Sequence, residues 1–208
     1  VDKQVIQEFW RKRAQTGQTR WTGEGMLEFD QNLLRPFVPS QARILDLGSG
    51  FGELSRSICP PEGTLVAVEQ EAAMGSAFSG DPRFRFVNSY VTDFRGEALF
   101  DLALLFGVVT HLSVDEEEAV YAVIESALDA GGTAVIKNQC SDGAEFEVST
   151  FSDDLGSSYV GRYPAIDEQR ARLANHFSDV EVVPYPDSLR MHPDSTHVAF
   201  VCRKRVTE

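Results

Sequence analysis

Cysteine is scarce in this chain of 208 residues: Cys59, Cys140 and Cys202 are odd in number, far apart and without C-x-x-C spacing. Neither a disulfide framework nor a zinc site is expected from them, and no metal is expected at all, because no compact carboxylate cluster stands at the strand ends. Positive charge is in deficit as well, with 19 Lys and Arg against 32 Asp and Glu and a net charge of −13. That balance repels a phosphate backbone. The two short basic clusters, residues 11–13 and 203–205, look like solvated ends of elements, so no nucleic-acid partner is expected. No apolar run approaches membrane-spanning length, and the opening stretch VDKQVIQEFW lacks the apolar core of a signal peptide. The expectation is a protein of the reducing cytoplasm with no membrane partner. Internal repeats and low-complexity tracts are missing too. What remains is an ordinary globular composition, 42% hydrophobic and 25% charged, sufficient for one domain with an ample core.

The chain alternates strand-like and helix-like pieces, as a series of βα units does. Val5, Ile6, Phe9 and Trp10 share one helical face, which assigns Phe9 and Trp10 to core packing, and a second helix is expected near 26–37. Strands are expected near 43–47, 64–69, 84–88, 101–106, 132–138, 179–184 and 197–203, with helices near 52–58, 70–78, 114–129 and 165–176. Ser113 with Glu116 forms a capping box for the helix near 114–129, and Gly131-Gly132 is read as its end. A short proline-rich connection makes the last two strands an antiparallel pair. The segment YVGRYP, residues 159–164, offers two aromatics around a cation, which suits a sugar or carboxylate-bearing acceptor, and a surface loop competes with this reading.

The stretch RILDLGSGFGEL, residues 43–54, carries the chemistry. Ile44, Leu45 and Leu47 form the apolar run of a strand buried on both faces, and Gly48, Gly50 and Gly52 permit positive φ and close approach of a ligand. A dinucleotide fingerprint wants its third glycine one residue later. Here Glu53 fills that place, and an acid there repels a pyrophosphate, which disfavours a nicotinamide dehydrogenase. A second buried strand, TLVAVEQ, ends in Glu69 and Gln70. A carboxylate at that position accepts hydrogen bonds from both hydroxyls of a ribose, so the pair of motifs favours a nucleoside over a phosphate.

Asp46 to Gly52, acid-x-Gly-x-Gly-x-Gly, together with Glu69, resembles the first motifs of the class I S-adenosylmethionine-dependent methyltransferases over roughly residues 40–140. The resemblance implies an α/β fold with a doubly wound, seven-stranded, mostly parallel sheet and an antiparallel last strand. It also implies S-adenosylmethionine as cofactor, held by Asp46, Gly48, Ser49, Gly50, Gly52, Glu69 and Gln70. In such enzymes an acid just past the third strand meets the adenine. Tyr90 stands there in this chain, followed by Val91, with Asp93 as an alternative adenine contact. Phe106 is expected along the methionine part of the cofactor, and Trp21 as a lid over it. On this reading residues 1–40 form a helical cap, 41–140 the cofactor-binding core, and 141–208 a substrate-side insertion followed by the hairpin strands.

For catalysis the candidate is His111, where strand ends converge and a lone pair can take a substrate proton; a histidine that merely bonds backbone competes with this. With an oxygen acceptor, kcat/KM is expected to fall below a histidine pKa, near ~6.5 before environmental shifts. Met26, Asn138, Tyr159, Arg162, Tyr163 and His197 are the candidate acceptor contacts. The expected function is methyl transfer to an oxygen or nitrogen of a small metabolite, such as a sugar or a natural-product intermediate. Short stretches, GEGML at 23–27, THL at 110–112, VIKNQ at 135–139 and DDLGSS at 153–158, also resemble the protein α-N-terminal methyltransferases. That alternative gives the peptide amine to His111 and to Asp153 or Asp154. A third reading is a non-catalytic S-adenosylmethionine-binding partner protein.

Overall fold

A computed structural model describes residues 2–17, 25–96, 98–153 and 156–204. Helix α1, Lys3–Thr16, starts where the Asp2 carboxylate accepts hydrogen bonds from the Gln4 and Val5 amides, and it stops at Gly17. Helix α2, Met26–Leu34, precedes the first strand, and a 3₁₀ turn at Arg35–Phe37 completes the expected second helix. Strand β1, Arg43–Leu47, is followed by α3, Glu53–Ile58, and β2, Thr64–Glu69. Next come β3, Phe84–Asn88, β4, Phe100–Phe106, α4, Val114–Ala127, and β5, Leu128–Ser141. A two-stranded hairpin, β6 Phe146–Ser152 and β7 Ser157–Tyr163, stands apart from the sheet. Helix α5, Ile166–His176, β8, Phe177–Pro184, and β9, Ser195–Lys204, close the chain.

The seven-stranded sheet has the order β3-β2-β1-β4-β5-β9-β8. The pairs among β1 to β5 are parallel, whereas β9 runs antiparallel between β5 and β8. This is the expected seven-stranded α/β architecture. Successive side chains of β4 go to opposite faces: Ala103 and Leu105 pack with Val120, Ile124 and Leu173, while Leu102 and Leu104 pack with Met26, Leu34 and Leu54. Ile44, Leu45 and Leu47 are fully buried, each worth about 1.5–3 kcal/mol of apolar burial. Arg43 ties the strand starts together, donating to Asp101 from its backbone amide at 2.8 Å and from Nη2 at 2.7 Å, and reaching Asp129 at 2.6 Å.

Three expectations about elements change. The segment expected as a helix at 70–78 is a 3₁₀ helix over Ala72–Phe78, where Gly75 passes so close to the Phe86 ring that a Cβ would sit at 2.8 Å. Gly131 and Gly132 do not end a helix. Helix α4 stops at Ala127 and β5 begins at Leu128; the glycines lie where the β4–β5 register shifts, with Gly131 at φ 76°. The YVGRYP segment is no surface loop, because most of it is strand β7, with Gly161, Arg162 and Tyr163 buried. The capping box is as expected: the Ser113 hydroxyl accepts from the Glu116 amide, and the Glu116 carboxylate accepts from the Ser113 amide. No helix among the described residues is long and apolar enough to cross a membrane.

Candidate active site

Beyond the carboxyl end of β1 the chain turns through Gly48, Gly50 and Gly52, at φ 74°, 57° and 68°. The turn is held to the sheet by the Gly48 amide, which donates to the Val68 carbonyl at 2.8 Å. A side chain at position 48 would meet a Val108 methyl at 2.3 Å, so glycine is required there for space as well as for φ. Facing this turn, the Glu69 carboxylate accepts hydrogen bonds from the Gly50 amide at 3.2 Å and the Glu71 amide at 3.0 Å. Burial pushes the Glu69 pKa up despite these donors.

The turn and Glu69 open on a cavity of about 590 Å³. Asp46, Gly48, Ser49, Gly50, Glu69 and Gln70 line one end of it, and Tyr90, Val91 and Phe106 continue the wall. Tyr90 donates its hydroxyl to Glu116 at 3.0 Å and has the Lys3 ammonium 5.9 Å from its ring centre. Gly52 is outside the lining. It caps α3 and passes the Phe78 ring, which a Cβ would meet at 2.5 Å, so packing accounts for that glycine. Asp93 is exposed and outside the lining as well. Trp21 lies outside the described residues.

The cavity continues to His111, Asn138, Tyr159, Tyr163 and His197. Two other sequence candidates do not reach it. Met26 is fully buried in the core beneath the sheet, and the Arg162 guanidinium is buried behind the wall, donating to Glu145 at 2.6 Å and to Glu117. Arg162 is consumed by these carboxylates, which corrects its assignment as an acceptor contact. His111 is half-buried with its ring bordering the cavity: the Trp10 and Tyr159 rings meet it edge-on at 5.4 and 5.6 Å, and Nδ1 lies 3.3 Å from the Val160 carbonyl. Burial pulls its pKa down to about 4. His197 is also pulled down to about 4, by burial and then by the Lys137 charge, and its buried Nδ1 has no hydrogen-bond partner among the described residues.

Several lining residues were missed. Phe9 and Trp10 are wall as well as packing, because α1 lies along the cavity with Ile6 and Arg13 beside them. Phe146, Val148 and Thr150 line it from alternate positions of β6, a period-two pattern that was legible in EFEVSTF. Lys137, within β5 beside the carboxyl end of β4, lines the cavity too. It lies 3.3 Å from the fully buried Asp30, which also accepts the Tyr185 hydroxyl at 2.6 Å. A lysine inside the apolar run TAVIK was the available signal. Among the described residues no group of three or more His, Cys, Asp or Glu is placed to hold a metal ion.

No protein-family model and no curated protein sequence matches the chain. Solved structures do. The Burkholderia thailandensis 1,6-didemethyltoxoflavin-N1-methyltransferase, solved with 1,6-didemethyltoxoflavin and S-adenosylhomocysteine, superposes with a TM-score of 0.73 at 23% identity, over 98% of this chain and 91% of that one. DhpI, solved with S-adenosylhomocysteine, gives 0.69 at 18% identity over 99% and 100% of the two chains. The glycopeptide N-methyltransferase MtfA, complexed with S-adenosylmethionine, gives 0.68 at 16% identity over 85% and 93%. The chain has the Rossmann-like fold of the class I S-adenosylmethionine-dependent methyltransferases.

Proposed function

We propose that the chain is an S-adenosylmethionine-dependent methyltransferase acting on an oxygen or nitrogen of a small metabolite, such as a sugar or a natural-product intermediate. One observation carries the reading: the glycine turn and the Glu69 carboxylate share a single cavity with His111, Tyr159 and His197. The residues fit the cofactor. Gly48 leaves no room for a side chain beside Val108, Gly50 lines the cavity at φ 57°, where the missing Cβ suits close contact with a ligand, and Glu69 supplies a buried acceptor for ribose hydroxyls. Tyr90, Val91 and Gln70 would flank the nucleoside, and Phe106 and Asp46 the amino-acid part. When bound, S-adenosylmethionine supplies a methyl group already activated by a sulfonium.

The remaining work is orientation, which can be worth on the order of 7–11 kcal/mol. His111 and His197, both neutral near pH 7, suit hydrogen bonding to an acceptor's O–H or N–H. Asn138, Tyr159 and Tyr163 complete that side. Helix α1 then serves as the cap, residues 41–140 as the cofactor-binding part, and residues 141–208 as the acceptor side. A cavity of about 590 Å³ is in the size range of small-molecule sites. The α-amine reading draws no support from Asp153, which is exposed in the turn between β6 and β7 and outside the lining; Asp154 lies outside the described residues.

Incubation of the protein with deuterium-labelled S-adenosylmethionine and either a metabolite extract or a peptide library, read by mass spectrometry, tests the proposal. Labelled small molecules are expected. Labelled peptides alone would favour the α-amine reading, and no labelled product with intact cofactor binding would make the chain a silent binder.

A further inference from the structure

Arg162 lies outside the cavity, yet it is bonded to the segment that carries His111. Its Nε donates to the Leu112 carbonyl at 3.1 Å, while His111 Nδ1 lies 3.3 Å from the Val160 carbonyl. The two bonds run in opposite directions between the same two stretches, 111–112 and 160–162: each stretch sends one side chain to the other's backbone. Beneath them, Arg162 is anchored by Glu117 of α4 and, at 2.6 Å, by Glu145 just before β6. Glu117 is itself fully buried and also accepts from Arg172 Nε at 3.0 Å and from the Tyr121 hydroxyl at 2.8 Å. Such a network fixes the strand position that carries Val160.

A backbone carbonyl can only accept. In a neutral imidazole bonded to one through Nδ1, that nitrogen carries the hydrogen and Nε2 keeps the lone pair. We propose that Arg162, held by Glu117, is a positioning residue that fixes His111 as its Nδ1–H form, so that the ring's other nitrogen is a hydrogen-bond acceptor for the methyl acceptor's N–H or O–H. The link to methyl transfer rests on the function proposed above; the assignment of the ring's hydrogen does not.

Lysine cannot replace this arginine. One ammonium cannot serve Leu112, Glu145 and Glu117 in the fork geometry of a guanidinium. Arg162→Ala would leave Glu117 buried beside a missing partner and is expected to unfold, so Arg162→Lys is the test, with Glu145→Gln as a milder second variant. The chain has four histidines, so ¹⁵N-histidine labelling with long-range ¹H–¹⁵N correlation resolves each ring, and His111→Ala identifies the signals of His111. In the parent protein His111 should show hydrogen on Nδ1 alone. In Arg162→Lys, with parental thermal melting, the signals should move to a mixture of both forms or to the Nε2–H form, and Glu145→Gln should shift them in the same direction by less. Hydrogen on Nε2 in the parent overturns the proposal, as does an unchanged His111 pattern in folded Arg162→Lys. Should that variant not fold, an unchanged pattern in Glu145→Gln overturns it. Binding of S-adenosylhomocysteine, measured on the same samples, tests the cofactor reading separately, since the position of the ring's hydrogen is read without any ligand.

Discussion

A histidine between two ring edges and a backbone carbonyl is a different reagent from a histidine in water, and His111 shows the consequence. Its place at the exit of β4 was legible in the sequence, whereas its surroundings were not, because Tyr159 and Val160 arrive from a hairpin 48 and 49 residues further on. The limb near ~6.5, expected before environmental shifts, is therefore expected at lower pH. With its pKa pulled down to about 4, His111 stays neutral through the physiological range, so kcat/KM should show no histidine limb near pH 6.5 and should fall only as pH drops toward 4. His111→Ala should lower kcat by about 10²-fold or more while leaving S-adenosylhomocysteine affinity unchanged. Steady-state rates across pH, paired with calorimetry, check both; a limb near 6.5 in the parent that vanishes in His111→Ala would restore the exposed-base picture. Arg162 marks the opposite limit of sequence reading. Two aromatics around a cation suggested a ligand site, but Glu117, 45 residues away in sequence, had already taken the guanidinium.

At the level of elements, signals that reside in one short stretch were legible. The buried runs of β1 and β2, the glycine turn between them and the Ser113 capping box are all local. Ser113→Ala should destabilise the protein by about 1 kcal/mol through loss of the cap. It should also loosen Glu116, which the Tyr90 hydroxyl and the Lys3 ammonium both reach, at 3.0 and 2.6 Å. The pairing of β6 with β7 and the length of β5 were not legible in this way. In β5, Gly131-Gly132 carries the punctuation of a helix end, and only the pairing with β4 reveals that it serves a register shift. Two substitutions separate glycines needed for φ from glycines needed for space. Gly131→Ala, with nothing within 4 Å of the added carbon, should cost only the left-handed penalty of about 1–2 kcal/mol. Gly52→Ala, at a similar φ but 2.5 Å from the Phe78 ring, should cost more. Urea unfolding of the two variants gives the comparison directly, and equal losses would remove the packing argument at Gly52.

For the whole molecule, the two depressed histidines predict how stability responds to acid. His111 and His197 have folded pKa values near 4 against an unfolded value near 6.5, so the unfolded chain binds more protons between those limits. Their contribution is complete above about pH 6.5 and is lost as pH falls toward 4; Glu69, whose pKa is raised, opposes the trend at its lower end. Urea midpoints should therefore fall from pH 7 to pH 5, and the slope should flatten in a His111→Gln/His197→Gln double variant. An unchanged slope in that variant would place both rings in contact with solvent. The central claim, that the cavity under α1 is built for S-adenosylmethionine, is tested most directly by titrating the intact chain with S-adenosylhomocysteine in a calorimeter, alongside Glu69→Ala. Saturable one-to-one binding by the parent, weakened by about 1.5–3 kcal/mol in a folded Glu69→Ala, is the predicted result. No saturable binding, or equal affinity in the two proteins, would contradict it.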